Sequence, residues 1–324
     1  MKLHHRRFQH LAANAAALWL LSITGDAALP QTSTIKLINP FPPGGTADII
    51  ARTVTEQIGR TRGASFVIEN RPGAGTIIGS DLVARAKPDG NTLLINSAAL
   101  FISANLRKVG FDPLTSFTPI CSLTQSPQLM VVNRASPYRT MSDIVEAARK
   151  YPDKLTLSST AGGGAQIGFE RFKRAANVAM TYVPYPGNAP TVNAVLGGHV
   201  SVGIANYADW IGHLQAGTAR AIATMTPERV DLLPELPTIG EAGYKEFEYL
   251  TWFGILAPAK IPDQVSRQLT EWFAMARQDE GVQAKLRAHG FLPTNECGQE
   301  FAAVMRNEHD TYGRVIREIN FKAD

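Results

Sequence analysis

Strand-like and helix-like segments alternate along most of the chain, and this alternation limits the possible folds more than any other feature of the sequence. Short apolar runs at residues 35–39, 66–69 and 92–96 are typical of strands, whereas residues 46–58 and 77–86 carry apolar side chains at helical spacing. This strand–helix–strand order predicts a parallel sheet covered by helices on both faces. The sequence therefore predicts an α/β fold.

The same alternation restarts after Cys121 and predicts a second α/β unit. Further strands are expected at 129–132, 155–159, 180–183, 200–204 and 219–225, and further helices at 141–150, 164–176 and 189–196. A chain of 324 residues is long enough for two units, because single cores stop growing at roughly 250 to 300 residues.

The end of the chain combines one predicted strand, at 249–256, with two amphipathic helices, at 263–277 and 299–319. This part has no strands of its own for a third sheet, so we expect both helices to pack on the first unit. The chain would then pass twice between the two units, near residues 122–132 and 248–256.

The first 28 residues have the order of a secretory signal peptide. Three basic residues precede an apolar stretch at residues 11–23, and small residues follow it. Because this stretch is too short for a membrane-spanning helix, we predict cleavage after Ala27 or Ala28 and export to the periplasm. A retained anchor is the alternative, and the pair Arg6-Arg7 leaves the Sec and twin-arginine export routes both open.

Charge and cysteine content narrow the possibilities further. The 32 basic and 28 acidic side chains are interspersed and give a formal charge of +4, which argues against a nucleic-acid-binding surface.

Cys121 and Cys297 are far apart in sequence. Spacing alone does not say whether their Cα atoms come within the ~7 Å that a disulfide requires, so their pairing stays open.

Two segments, residues 38–48 and 157–166, share one design: a strand, a glycine-rich turn and a helix start. Such turns lie at the carboxyl ends of parallel strands, where open α/β folds bind ligands. A helix start offers unpaired N–H groups and the positive end of the dipole, and glycine lets an anion approach the backbone. We therefore predict one anion site in each unit, with plain tight turns as the alternative.

Glycine substitutions make this prediction specific. A valine at Gly45 or Gly163 is expected to block the approach of an anion or to disfavour the backbone angles required there. Gly290, near the C-terminal helices, is expected to lie away from both turns.

Catalytic and metal-binding motifs are missing from the sequence. It contains no G-x-S-x-G elbow, no H-E-x-x-H and no Cys/His spacing typical of a metal site. Asp209 and His213 are spaced to share a helix face, which we interpret as a surface ion pair. We predict no enzyme activity and no cofactor.

Several short blocks, in order along the chain, resemble the substrate-binding proteins of tripartite tricarboxylate transporters, the TctC or Bug family. The blocks are Pro40-Phe41-Pro42-Pro43-Gly44-Gly45 with Asp48, Glu69-Asn70-Arg71-Pro72-Gly73-Ala74-Gly75, Pro88-Asp89-Gly90-Asn91-Thr92-Leu93-Leu94, Val183-Pro184-Tyr185, Leu196-Gly197-Gly198, Arg220-Ala221-Ile222-Ala223, Pro237-Thr238 with Glu241-Ala242-Gly243, and Trp252-Phe253-Gly254 with Ala257-Pro258. The resemblance covers essentially all of the chain after the signal peptide.

The resemblance implies a two-lobed, periplasmic-binding-protein clamshell in which each lobe is a mostly parallel sheet flanked by helices. Lobe 1 would comprise residues 29–128 plus 253–324, and lobe 2 residues 129–252. It also implies that the loops after the first strand of each lobe hold a carboxylate through backbone groups and water. The expected ligand-binding residues are Phe41, Pro43, Gly44, Gly45, Thr46, Asp48, Ala74, Gly75, Ser97, Ser158, Ser159, Gly162, Gly163, Gln166, Tyr185, Gly187, Asn188, Ala205 and Asn206.

Two positions depart from the family's pattern. Gln166 stands where the family usually has His, and Ala205 stands where an Asp is often found. The Asp would favour a ligand with an amino group, so its absence disfavours amino acids as ligands, and the adjacent Asn206 is expected to offer a neutral hydrogen bond. The predicted ligand is a di- or tricarboxylate or an aromatic carboxylate.

The predicted function is capture of a small organic carboxylate by a monomeric periplasmic protein that delivers it to the membrane subunits of a tripartite carrier. A sensory co-receptor that signals to a membrane kinase is an alternative that shares the same site. A periplasmic enzyme acting on a small carboxylate is a third.

Overall fold

The computed structural model describes residues 34–161 and 163–322. The predicted signal peptide, residues 1–28, and Gly162 lie outside these residues. The strands in this part of the chain are β1 (Thr34–Asn39), β2 (Ser65–Asn70), β3 (Thr92–Asn96), β4 (Phe117–Asn133), β5 (Thr156–Thr160), β6 (Thr181–Tyr185), β7 (Val202–Asn206), β8 (Ala219–Thr224), β9 (Leu250–Pro258) and β10 (Leu292–Pro293). The helices are α1 (Thr46–Arg62), α2 (Ile77–Ala84), α3 (Ala99–Leu106), α4 (Met141–Lys150), α5 (Gly164–Ala176), α6 (Asn188–Leu196), α7 (Tyr207–Gln215), α8 (Asp263–Gln278), α9 (Glu280–Ala288) and α10 (Gly298–Glu318), with short 3₁₀ segments at Ala74–Thr76 and Lys245–Phe247.

The strands follow the order β2-β1-β3-β9-β4-β7-β5-β6, with β8 and β10 each paired to β4. β1 is parallel to β2 and β3, and β5 is parallel to β6 and β7. Antiparallel strands β9 and β4 lie between these two parallel groups. The predicted α/β class is confirmed, with the difference that the sheet is mixed at its centre.

Strand β4 is much longer than the predicted strand at 129–132. Its first part pairs with β9, from Phe117 opposite Pro258 to Pro127 opposite Leu250, and its last part pairs with β7 and β8. The sequence hides this strand because polar residues and a proline interrupt its apolar pattern between residues 122 and 128. β4 therefore runs through the middle of the fold and belongs to both halves of the sheet.

Helices cover the sheet through separate apolar clusters. Leu269 and Phe273 of α8 are buried in one cluster with Ile50 and Val54 of α1, as expected for helices that pack on the first unit. The middle of the chain has its own cluster around Phe169 and other side chains of residues 130–247. No helix in the described ranges is both long and apolar enough to cross a membrane.

Helices α3 and α9 were not predicted, so the end of the chain has three helices where the sequence analysis expected two. α3 follows β3 after two residues, so its apolar residues are easily taken for a continuation of that strand. α9 is separated from α8 by Asp279 alone, whose side chain accepts a hydrogen bond from the backbone N–H of Val282. This cap allows a new helix to begin without an intervening loop.

A disulfide joins Cys121 in β4 to Cys297, the residue that precedes α10. The two cysteines are 176 residues apart in sequence, which is why spacing left their pairing undecided. The bond fixes the start of the C-terminal helix to the long central strand.

Candidate functional site

In the described ranges six helices follow parallel strands, α1, α2 and α3 in the first group and α5, α6 and α7 in the second. Four of them bear on the candidate site. α1 follows β1 in the first parallel group, while α5, α6 and α7 follow β5, β6 and β7 in the second. Their N-caps are Gly45, Gly163, Gly187 and Asn206, and none of the four supplies a side-chain cap. Helices α4 and α9 have side-chain caps, whereas α2, α3, α8 and α10 lack them, so the missing cap alone does not set these four starts apart. Because the first N–H groups of a helix have no partner within it, these four starts form an edge suited to an anion.

The glycines before α1 and α5 have different roles. Gly44 has a left-handed φ of 76°, which favours glycine there. Gly45 and Gly163 have extended backbones, with φ of −83° and −89°. Other residues can adopt these angles, so the expectation that the backbone requires glycine at these two positions is wrong. A Cβ on Gly45 would lie 3.6 Å from the Pro42 carbonyl oxygen, and one on Gly163 would lie 3.2 Å from that of Thr160. The argument for glycine there is therefore the space it leaves in front of the helix start.

Asp48 shapes the first loop through contacts within the protein. Its Oδ2 accepts from the Gly44 backbone at 3.1 Å and from Arg52 Nε at 2.9 Å. Burial alone would raise the pKa of Asp48, but the hydrogen bonds from Arg52 and Gly44 outweigh it and hold the pKa below its usual value. Asp48 therefore contacts the first loop, where its carboxylate holds the turn at Gly44.

The two halves of the sheet meet at Thr46 and Asn206. Asn206 Nδ2 donates to Thr46 Oγ1 at 2.8 Å, which joins the starts of α7 and α1. Asn206 Oδ1 accepts a hydrogen bond from Gln128 of β4, and Gln128 Nε2 also donates to Thr251 Oγ1 of β9 at 3.3 Å. Thr46, Asn206, Gln128 and Thr251 are all buried. This polar network joins both helix starts to the two central strands.

Asp209 belongs to the same edge, contrary to its interpretation as part of a surface ion pair. Its Oδ2 accepts from Asn188 Nδ2 at 2.7 Å, and Asn188 Oδ1 accepts from Thr160 Oγ1 at 2.9 Å. Burial raises the pKa of Asp209 to about 6, despite hydrogen bonds from Asn188 and Asn206 that favour the charged form. His213 instead lies beside Thr218. The signal that could have found Asp209 is its place three residues after the N-cap Asn206.

Tyr249 is a second residue that the sequence analysis missed. Its ring lies against the first residue of α5, since a Cβ on Gly164 would come within 2.1 Å of that ring. Its hydroxyl is hydrogen-bonded to the Gly164 backbone and to the side chain of Thr251, and burial raises its pKa to about 12. Tyr249 therefore joins the start of α5 to β9.

Further contacts bring the two halves together beyond the polar edge. The backbone of Gly290 lies against the ring of Tyr207, because a Cβ on Gly290 would come within 1.7 Å of it. Gly290 was expected to lie away from the two glycine-rich turns; it contacts the start of α7 instead, and its φ of 75° strains any other residue there. Ile167 of α5 packs with Val315 and other apolar residues of α3 and α10.

The remaining expected site residues fall into two sets. The first has backbone or side-chain contacts near the helix starts: the Phe41 carbonyl accepts from Asn70, a Cβ on Gly187 would face Pro42 at 3.9 Å, and the Tyr185 carbonyl accepts from Ala161. Residues of the second set make contacts within their own half of the sheet or are buried there. Ser158 Oγ donates to Val202, Ser159 Oγ pairs with Tyr182, Ser97 Oγ accepts from Ala99, Gly75 accepts from Ser103, Ala74 begins a 3₁₀ segment, and Ala205 and Gln166 are buried. Pro43 is exposed in the first loop.

Two open surface cavities lie elsewhere on the molecule. One, of about 490 Å³, is lined by residues that include Asn105, Phe111 and His309. The other, of about 470 Å³, is lined by residues that include Pro119 and Gln299. Neither is lined by any residue of the four helix starts. Within residues 34–161 and 163–322, no group of three or more His, Cys, Asp or Glu side chains is arranged to hold a metal ion.

Comparison with known proteins finds a matching family, relatives and similar solved structures. The tripartite tricarboxylate transporter family receptor profile matches residues 50–321. A protein of Pseudomonas sp. (strain P51), named for the tcbD-tcbE intergenic region, is 34% identical over 90% of this chain and 87% of its own length. A solved periplasmic transporter superposes with a TM-score of 0.85 at 32% identity, covering 90% of this chain and 99% of its own. Rpa4515 of R. palustris, solved with adipate, has a TM-score of 0.84 at 31% identity and covers 89% and 98% of the two chains.

Proposed function

Because the chain belongs to the tripartite tricarboxylate transporter family of receptors, we propose that it is an exported solute-binding protein that captures a small organic carboxylate for a membrane carrier. The observation that carries this proposal is that helix starts from both halves of the sheet meet at one edge, where Asn206 at the start of α7 donates to Thr46 at the start of α1. Adipate bound to the similar protein Rpa4515 supports a carboxylate as the ligand.

The binding mode follows from the chemistry of helix starts. A carboxylate placed between α1 and α5 would accept hydrogen bonds from backbone N–H groups and lie at the positive ends of both dipoles. No lysine or arginine is needed for such binding. Since α1 and α5 lie in different halves of the sheet, one ligand would hold the two halves together.

We propose the division into lobes at residues 128/129 and 252/253, which fall within β4 and β9. The separate apolar clusters around α1 and around Phe169 support two cores. The contact between Thr46 and Asn206, and that between Gly290 and Tyr207, would then be contacts of a closed cleft. Opening would break both, while the paired strands β4 and β9 would act as the hinge.

Export through residues 1–28 is part of the proposal. N-terminal sequencing of protein from the periplasmic fraction should give a mature chain that begins near Ala28. Recovery of membrane-bound protein with Met1 intact would refute it.

The function is tested by a thermal-shift screen of mono-, di- and tricarboxylates. A true ligand at about 100 times its Kd adds about 2.7 kcal/mol to the free energy of unfolding. The stabilising compound should be recovered unchanged after long incubation, because the sequence contains no G-x-S-x-G nucleophile motif. Its conversion by the pure protein would favour the enzyme alternative, and co-purification with a membrane kinase in place of carrier subunits would favour the sensory one.

A further inference from the structure

Asp209 is an anion that the protein itself places among the helix starts. It lies in the first turn of α7, and its Oδ2 accepts from the side chain of Asn188, the first residue of α6. Asn206, the N-cap of α7, also donates to it. The carboxyl of Asp209 therefore already occupies hydrogen-bond donors at the starts of two of the four helices.

The charge of Asp209 has no cationic partner in the described part of the chain. Its hydrogen-bond partners, Asn188 and Asn206, are neutral, and so is Thr160, which holds Asn188 from the end of β5. The other acid at these helix starts, Asp48, is paired with Arg52. Among the described acids at these helix starts, Asp209 is therefore the one without a cationic side-chain partner.

Asp209 also lies close to the position proposed for the ligand. Asn206 connects it directly to Thr46, the first residue of α1, through a hydrogen bond of 2.8 Å. One neutral side-chain amide, that of Asn206, and one hydroxyl, that of Thr46, connect Asp209 to the start of α1. A second negative charge on the ligand would be repelled at this short range, where a partly buried site screens charges poorly.

We infer that Asp209 limits the cleft to ligands with a single carboxylate, which binds at the starts of α1 and α5, and with neutral polar groups toward α6 and α7. This inference rests on the proposed function, because it concerns the same cleft. It narrows the ligand from carboxylates in general to monocarboxylates, in contrast to the adipate bound by Rpa4515.

The selectivity is expected to depend on pH. Burial raises the pKa of Asp209 to about 6, so its charge, and the repulsion of a second carboxylate, is present above that pH and fades below it. The groups around Asp209 are uncharged: Asn188 of α6, Thr160 of β5, which contacts Asn188, and Thr46 of α1, which contacts Asn206. His213, on the same helix as Asp209, lies against Thr218.

The test compares succinate and adipate, each with its own monoamide, by calorimetry on the wild-type protein and on Asp209→Asn. The substitution keeps the shape and an acceptor for Asn188 while removing the charge. At about pH 8 the wild type should bind each monoamide at least about tenfold more tightly than the diacid, and Asp209→Asn should remove most of that preference. At about pH 5 the difference in preference between the wild type and Asp209→Asn should shrink; protonation of the diacids themselves affects both proteins alike and cancels in this comparison.

Asp279→Asn is the matched control, because Asp279 caps α9 away from the cleft and carries the same charge at a helix start. It should keep the wild-type preference. A wild type that prefers the diacids, or an Asp209→Asn protein with an unchanged preference, would overturn the inference while carboxylate binding itself stands. Failure of all four compounds, and of every carboxylate in the thermal-shift screen, would overturn the inference by refuting the proposed function.

Discussion

Valine substitutions at Gly45 and Gly163 test whether the two helix starts bind the ligand. Both glycines have extended backbones, and a Cβ at either position has its nearest neighbour at 3.6 Å or 3.2 Å. A Cβ at Gly45 makes an ordinary contact, whereas one at Gly163 requires the Thr160 carbonyl to move by a few tenths of an ångström. We therefore expect both variants to fold, with the larger loss of stability in Gly163→Val. The valine methyl groups would occupy the space in front of the N–H groups of α1 or α5, where the carboxylate must approach.

The expected loss of affinity follows from the hydrogen bonds that are blocked. A hydrogen bond to a charged group contributes about 1.5 to 3 kcal/mol, and each 1.4 kcal/mol changes Kd about tenfold. Gly45→Val and Gly163→Val should each weaken carboxylate binding by about 10- to 150-fold. The two losses should be similar, because closure requires contacts from both halves.

Calorimetry measures the affinities, and circular dichroism confirms that the variants fold. Gly212→Val is a suitable control, because a Cβ on this exposed helical glycine has no neighbour within 4 Å. Its affinity should equal that of the wild type. Wild-type affinity in a folded Gly163→Val protein would remove the start of α5 from the site and refute the two-sided grip.

Three further perturbations address stability. Reduction of the Cys121–Cys297 disulfide, which closes a loop of 176 residues, should lower the free energy of unfolding by about 4 to 5 kcal/mol in a urea titration with and without reductant; an equal midpoint would contradict this. Gly290→Ala should cost at least about 1 kcal/mol, because it combines a left-handed φ with a clash against Tyr207; full stability would show that this contact is dispensable. Burial raises the pKa of Glu308 from 4.5 to about 7, so the folded state retains a proton that the unfolded state loses, and the free energy of unfolding should fall by up to about 3 kcal/mol as pH rises between these values. Glu308→Gln should remove most of the slope between about pH 6 and 7, because Asp209, whose pKa is raised to about 6, adds a slope of the same sign at lower pH. An unchanged slope between about pH 6 and 7 would assign it to another group.

Most of the fold could be predicted because the apolar residues that mark strands and helices in the sequence are the residues that the fold buries. Strands such as β1 and β3 are short apolar runs, and α1 carries a clear buried stripe, so periodicity alone identifies them. Strand β4 is different, because it is largely buried although its central residues are mostly polar. There Gln128 is hydrogen-bonded to Asn206 and Thr251, so a polar network takes the place of the apolar pattern that identifies other strands.

The helix starts of the site could be predicted for a similar reason, since glycine-rich turns after strands have a local signature. The partners of those turns could not. Asp209 meets Asn188, and Tyr249 meets Gly164, only because strands distant in sequence lie side by side. The contact of Gly290 with Tyr207 could not be predicted for the same reason, because it joins segments more than eighty residues apart.

A crystal structure of the protein with a stabilising carboxylate tests the central claim most directly. The account predicts one carboxylate group with its oxygens about 2.7 to 3.2 Å from backbone nitrogens at the starts of both α1 and α5, with Asp209 facing a neutral part of the ligand. A carboxylate held by one half of the sheet alone, or bound in the cavity beside His309, would contradict it.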